Sequence, residues 1–255
     1  MDPAAALIYF VAGAAMGWIN NVAGGAGVFA LWAFEYAGGM PIEIANPTAR
    51  VGAVAIGVFS FLGYLRAGRR PDGRAWRHGL LAVPGALLGS VLAMRLEPIV
   101  FRAYLATVMA LLLRQQLRRR TPVDDSAPRP AWLVPLGCVL VGLHMGFAQV
   151  GFGLLVTLVL AGAYRGDLVA VNAAKSTIVI LTAITSVGSF AAFDAIAWLP
   201  GLVLAAGAAA GSYLASHWSV QKGSNAVRRV VVAVAVITLA EQLLRIVLLL
   251  ATGRA

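Results

Sequence analysis

Residues 20–30 read NNVAGGAGVFA, inside an otherwise apolar run from about Ala4 to Tyr36. A lipid-facing helix has reason to avoid both features of this stretch. Glycine costs a helix about 1 kcal/mol relative to alanine, and a side-chain amide in hydrocarbon needs a hydrogen-bond partner. The stretch therefore predicts a helix break inside a membrane segment. Gly24, Gly25 and Gly27 permit the turn and close approach. Asn20 and Asn21 satisfy freed backbone groups or contact a solute.

Composition agrees with a membrane setting. Of the 255 residues 60% are hydrophobic and 12% charged, about half the charge of an ordinary soluble domain, and the mean hydropathy is +0.85. Nearly uncharged runs long enough to cross a hydrocarbon core of about 30 Å recur along the chain. The opening MDPAAALIYF has no basic stretch and no cleavage-type ending, so no signal peptide is expected. A single cysteine, Cys138, excludes an internal disulfide and a multi-cysteine metal site.

The net charge of +10 does not point to nucleic acid, because 13 of the 20 Lys and Arg residues fall in three short stretches, 66–78, 114–131 and 217–229. Basic clusters between apolar segments are the positive-inside signature. Apolar runs separated by polar breaks predict eight segments: 4–36, 44–65, 78–94, 97–113, 132–163, 168–192, 196–216 and 226–250. The stretch 114–131, rich in Arg, Pro and Asp, is a cytoplasmic linker. It divides the chain into a first transmembrane repeat, 1–113, and a second, 132–255.

The halves match in sequence. At an offset of 126, Gly25 and Gly27 fall on Gly151 and Gly153, and Asn46 falls on Asn172; at 122, GALLGSVLA (85–93) falls on GAAAGSYLA (207–215). Each half opens with a long glycine-interrupted segment, the second carrying HMGFAQVGFG (144–153). All three basic stretches share one face only if the second long segment is a hairpin, and by symmetry the first is one too. Each half then has a re-entrant first segment plus three transmembrane helices, and an odd number of crossings inverts the second half. The fold class is thus an all-α polytopic membrane protein of two inverted four-segment repeats, with both termini outside. Inverted repeats with broken helices are the architecture of secondary transporters.

The Gly-rich AGGAG, then ANPTARVGAV (45–54), then GFAQVGFG followed by VNAAKSTIVI (171–180), resemble the TauE/SafE family of sulfite and organosulfur anion exporters over about residues 8 to 245. The resemblance implies two related halves that move a small anion bearing sulfur or a carboxylate across a cell membrane. The chain departs from the pattern at Ala26, where a fourth glycine is common, and at Ala173 and Ala174, where a Gly-Thr or Ala-Thr pair is usual.

The candidate substrate-binding residues cluster at the breaks and at the starts of the following segments. Arg50 and Lys175 each follow a repeat-matched asparagine, Asn46 or Asn172, and an ionisable residue in a membrane segment is a functional candidate because its burial is expensive. Snorkelling to the interface is the alternative, as helix capping is for the asparagines. Thr48, Ser176 and Thr177 add hydroxyls nearby. His144 and Gln149 stand at the second break with Gly151 and Gly153, His144 as a proton relay or a helix-to-helix hydrogen bonder. Glu241 and Arg245, four apart, pair with each other; Arg102 and Arg228 face interfaces. GALLGS and GAAAGS are Gly-x-x-x-Gly packing patterns.

No catalytic or metal-ligand cluster and no nucleotide-binding motif is present, so neither cofactor nor metal is expected and transport is secondary. The expected partners are a small anionic substrate, the lipid bilayer and a coupling proton or other ion, with the oligomeric state left open. Two other classes stay open: a membrane-embedded enzyme, and a membrane scaffold or assembly factor.

Overall fold

A computed structural model describes residues 1–22, 27–118, 132–160, 163–164 and 167–252, for most of 223–252 the backbone alone. Among these residues every regular element is helical. Helix α1 spans Pro3–Val22, and a short α2, Gly27–Trp32, runs into a π-helical turn at Ala33–Ala37. Then come α3 (Ile42–Arg66), α4 (Gly73–Ala93) and α5 (Pro98–Arg118). The second half has α6 (Leu133–Phe147), α7 (Phe152–Leu160), α8 (Leu168–Ala192) and α9 (Trp198–Thr252).

Local chemistry places several of these boundaries. The Asp72 carboxylate accepts from the Ala75 N–H at 3.0 Å and starts α4; Asp167 accepts from Val169 and Ala170 and starts α8. Pro98 opens α5, where a missing N–H costs nothing. Each long segment is interrupted near the predicted glycines. Gly24, Gly25 and Ala26 lie outside the described residues. The second interruption, between α6 and α7, takes Gln149 to φ 63° and Gly151 to φ 84°. Glycine adopts that conformation freely, whereas glutamine is strained in it.

Four helices are long and apolar enough to cross a membrane: α1, α3, α8 and the first 25 residues of α9, Trp198–Lys222. The chain is a multi-pass membrane protein. One expectation fails. The stretch 217–229, read as a loop between two segments, lies inside the 55-residue helix α9. It contains no proline, and its one glycine, Gly223, is a tolerable cost in a helix. The side chains of Arg228, Glu241 and Arg245, and with them the Glu241–Arg245 pair, lie outside what the structure describes, as does most of the linker.

The halves exchange packing partners: α1 lies along α9 and α6 lies along α4. A methyl group on Gly13 or Gly17 would come within 2.1 or 2.3 Å of the carbonyl oxygens of Leu204 or Ala208. One on Gly207 or Gly211 would come within 2.0 Å of those of Phe10 and Ala14. The same exchange recurs between Gly85 and Gly89 on α4 and the Val139 and Leu143 carbonyls, and between Gly142 and Gly146 on α6 and those of Ala82 and Ala86. Contacts that advance together along both helices make each pair parallel. Glycine at four-residue spacing is what lets two backbones approach this closely.

Helices α3 and α8, which occupy matching places in the two halves, run antiparallel. Gly57 faces Ile180 at mid-length. Past one end, Tyr164 donates to Asp72 at 2.9 Å and Arg69 lies 3.8 Å from Asp167. At the other end the Ala197 N–H, ahead of α9, donates to the Thr48 hydroxyl at 3.0 Å.

Candidate functional site

The last carbonyls of a helix have no helical partner and need other donors in a dry interior; the described part of α1 ends at Val22. Lys175, from α8 in the other half, fills that need. Its ammonium donates at 3.0 Å to the carbonyls of Asn20 and Asn21 and at 3.0 Å to Oδ1 of Asn172, one turn earlier on its own helix. The Asn21 side chain is equally occupied. Its Nδ2 donates to Ser60 Oγ at 3.0 Å and to the Ser212 carbonyl at 2.7 Å, and its Oδ1 accepts from Tyr64 at 2.7 Å.

The second break is met in the same crossed manner by α3. Arg50 donates through one terminal nitrogen to Gln149 Oε1 at 2.5 Å. Its other terminal nitrogen donates to Asn46 Oδ1 at 2.8 Å and to the Gly146 carbonyl at 3.3 Å. Asn46 Nδ2 donates to the Phe147 carbonyl at 3.0 Å. His144 is fixed by its partners: the Val150 carbonyl only accepts, so Nε2 carries the proton, and Nδ1 accepts from Tyr104, both at 2.8 Å. This is the arrangement of a helix-to-helix hydrogen bonder, joining the break to α5.

The two breaks touch, because a methyl group on Gly27 would lie 3.1 Å from the Val150 side chain. The structure thus gathers Asn20, Asn21, Gly27, Asn172 and Lys175 with Asn46, Arg50, His144, Gln149 and Gly151. Gly153 is in the first turn of α7, its carbonyl bonded by Thr157 at 2.8 Å. Thr48 serves the start of α9. Ser176 and Thr177 donate back to the Ala173 and Ala174 carbonyls of their own helix at 2.6 and 2.8 Å, the common habit of hydroxyls in helices.

Two alternatives are set aside and one expectation is corrected. Arg50 and Lys175 do not snorkel: they are 0% and 5% exposed and held inside the protein. Asn46 and Asn172 do not cap their helices. They sit one turn inside α3 and α8, whose N-cap positions are Pro41 and Asp167. Arg102 does not face an interface either. It is buried in an ion pair with Glu35 of the π-helical turn, beside a cavity of about 280 Å³ that Glu43 also lines.

Sequence reasoning passed over Ser60, Tyr64 and Tyr104. A signal existed for the first two: Asn46, Arg50, Gly57, Ser60 and Tyr64 repeat at helical spacing down one face of α3. Tyr104 has no comparable mark.

The energetic feature of the site is charge. Among the described residues neither Arg50 nor Lys175 has a carboxylate partner; the acceptors of both are carbonyl and amide oxygens, and Arg50 also lies 5.8 Å from the centre of the Phe190 ring. Burying an ion costs several kcal/mol unless compensated. The compensation here comes from neutral acceptors and from the negative ends of α1 and α6, each about half a charge. Among the described residues the interior keeps a surplus of basic side chains.

The chain is a member of the sulfite exporter TauE/SafE family, whose model matches residues 9–241. Nothing among curated proteins or solved structures matches the chain.

Proposed function

We propose that the protein is a secondary exporter of a small oxyanion, sulfite or an organic sulfonate, working by alternating access between two inverted repeats in the cytoplasmic membrane. The observation that carries this reading is the pair of buried cations, Arg50 and Lys175, at two touching helix breaks, with no carboxylate among the described residues to neutralise them. A permeating anion supplies the missing charge.

The antiparallel course of α3 and α8, and the exchanged packing of α1 with α9 and α4 with α6, support inverted repeats over 1–113 and 132–255 joined by the linker. Both α6 and α8 begin at the 66–78 end of the molecule, which supports a re-entrant α6–α7 hairpin; by the same argument α1 and α2 enter and leave at the opposite end. The basic stretches put the 66–78 end in the cytoplasm, so the N-terminus is outside. A proton or membrane potential is the coupling force in this scheme.

Efflux of radiolabelled sulfite from proteoliposomes holding the full chain tests the function. Uptake or efflux above protein-free vesicles, saturable and altered by an imposed potential, is expected. Vesicles no leakier than the controls to sulfite and methanesulfonate alike would remove the proposal. Cysteines introduced beside Arg70 and at Gly223 test the topology: both are expected to react from the cytoplasmic face.

A further inference from the structure

The two buried cations do not have the same capacity left over. An ammonium has three N–H donors, and Lys175 spends three hydrogen bonds on Asn20, Asn21 and Asn172. It has nothing further to offer an anion except its field. A guanidinium has five donors, and Arg50 Nε, buried with the rest of the side chain, donates to nothing among the described residues. Gln149 is 4% exposed, and its Nε2 also has no partner. Its Oε1 is the acceptor of Arg50, so the two unsatisfied donor groups are held on adjoining side chains. A buried donor left without an acceptor is costly, and Gln149 reaches its position through a left-handed backbone conformation as well. Two such costs at one point, on and beside a cation whose acceptors are all neutral, are what a ligand of opposite charge and two acceptor oxygens would relieve.

We infer that the substrate anion is bound at the second break alone, its oxygens taking Arg50 Nε–H and Gln149 Nε2–H, while Lys175 serves as the cap of α1. The inference rests on the anion-transport reading and divides its site unequally. An oxyanion such as sulfite or a sulfonate offers separate oxygens to two donors on adjoining side chains, and a halide offers a single atom. Charge-assisted hydrogen bonds of this type are the strong ones.

The test uses the full chain in nanodiscs and proteoliposomes, with sulfite, methanesulfonate and chloride as probes. Gln149→Glu keeps the oxygen that receives Arg50, removes the free donor and supplies an internal counter-charge. It is expected to fold at least as well as the wild type and to lose sulfite and methanesulfonate binding about 100-fold. Lys175→Gln removes the charge and is expected to lower thermal stability, while the folded fraction binds sulfite within about threefold of wild type. Chloride should compete with neither oxyanion at equal concentration. A Gln149→Glu protein that binds and moves sulfite normally, or a folded Lys175→Gln protein that has lost binding, overturns the assignment while leaving the transport reading intact. A wild type that moves neither oxyanion overturns both.

Discussion

Residues Asp72–Trp76 and Asp194–Trp198 start the third helical layer of their respective halves. They share Asp, Ala and Trp at the same three positions, yet they solve one problem differently. In the first half the Ala75 N–H is capped by Asp72, three residues earlier. In the second the matching Ala197 N–H is capped by Thr48 from α3, and Asp194 sits in a left-handed turn at φ 53° instead. The broken segments leave their ends unlike each other too: the first is held by the buried Glu35–Arg102 pair, the second by Tyr164 on the half-buried Asp72 and by Asp167 beside the exposed Arg69. The Gly-x-x-x-Gly contacts, by contrast, are the same in both halves almost atom for atom. Close helix packing has one chemical solution, glycine, whereas a polar group needs only some partner. Repeats therefore stay alike in packing and drift apart in hydrogen bonding.

The largest expected effect tests the two ends. The Arg102 and Glu35 side chains are 4% and 9% exposed, those of Arg69 and Asp167 53% and 46%. Removing one member of a buried pair leaves the other charge in a poor medium and costs about 3–5 kcal/mol; an exposed pair contributes about 0–1 kcal/mol. Arg102→Ala should therefore collapse the yield of monodisperse protein and its melting temperature in detergent, and Arg69→Ala should leave both nearly unchanged. Similar losses from the two variants would mean that the ends are equivalent and the contrast false.

The second expectation concerns what the halves share. Gly85→Ala and Gly207→Ala each force a methyl group to about 2.0 Å from a backbone oxygen, so the helices must separate. Overpacking of this kind costs about 1–3 kcal/mol. Because the two contacts are equivalent, their melting temperatures should fall together. A tolerated change on one side only would show that one helix pair is free to slide, and would mark the moving half.

Much of this was legible in the sequence, for a reason the comparison makes plain. Glycine patterns, basic clusters and the segment order are set by backbone packing and by the bilayer, and all three can be read one residue at a time. Cross-half partners cannot: Lys175 meets Asn20 and Asn21 across more than 150 positions, and only the fold says that each cation serves the other half's break. The same limit hid the burial of Arg102, whose partner Glu35 lies 67 positions away. The continuous α9 escaped for another reason. A polar, basic stretch marks the membrane boundary, but only proline or a cluster of glycines would also mark a turn, and 217–229 has neither.

The smallest effect sharpens the matched helix starts. Asp72 lies at the α3–α4 turn, outside the membrane spans. Its partial burial pushes the carboxyl upward, but hydrogen bonds from Arg74, Tyr164 and the Ala75 N–H outweigh it and hold the group below its ordinary value. A carboxyl depressed in the folded state stabilises the protein above its unfolded pKa, near 3.9. That contribution is lost as pH falls through the lower folded value. Asp72→Ala should thus cost about 1 kcal/mol at neutral pH, the usual worth of an N-cap, and progressively less as the medium is taken to pH 3. Thr48→Val removes the equivalent cap of the second half, but a hydroxyl does not titrate in this range, so its cost should be the same at pH 7 and pH 3. Melting curves of the two variants against wild type across that interval decide the matter. Parallel pH dependence of both would show that the acid sensitivity lies elsewhere and that Asp72 holds α4 no differently from the way Thr48 holds α9.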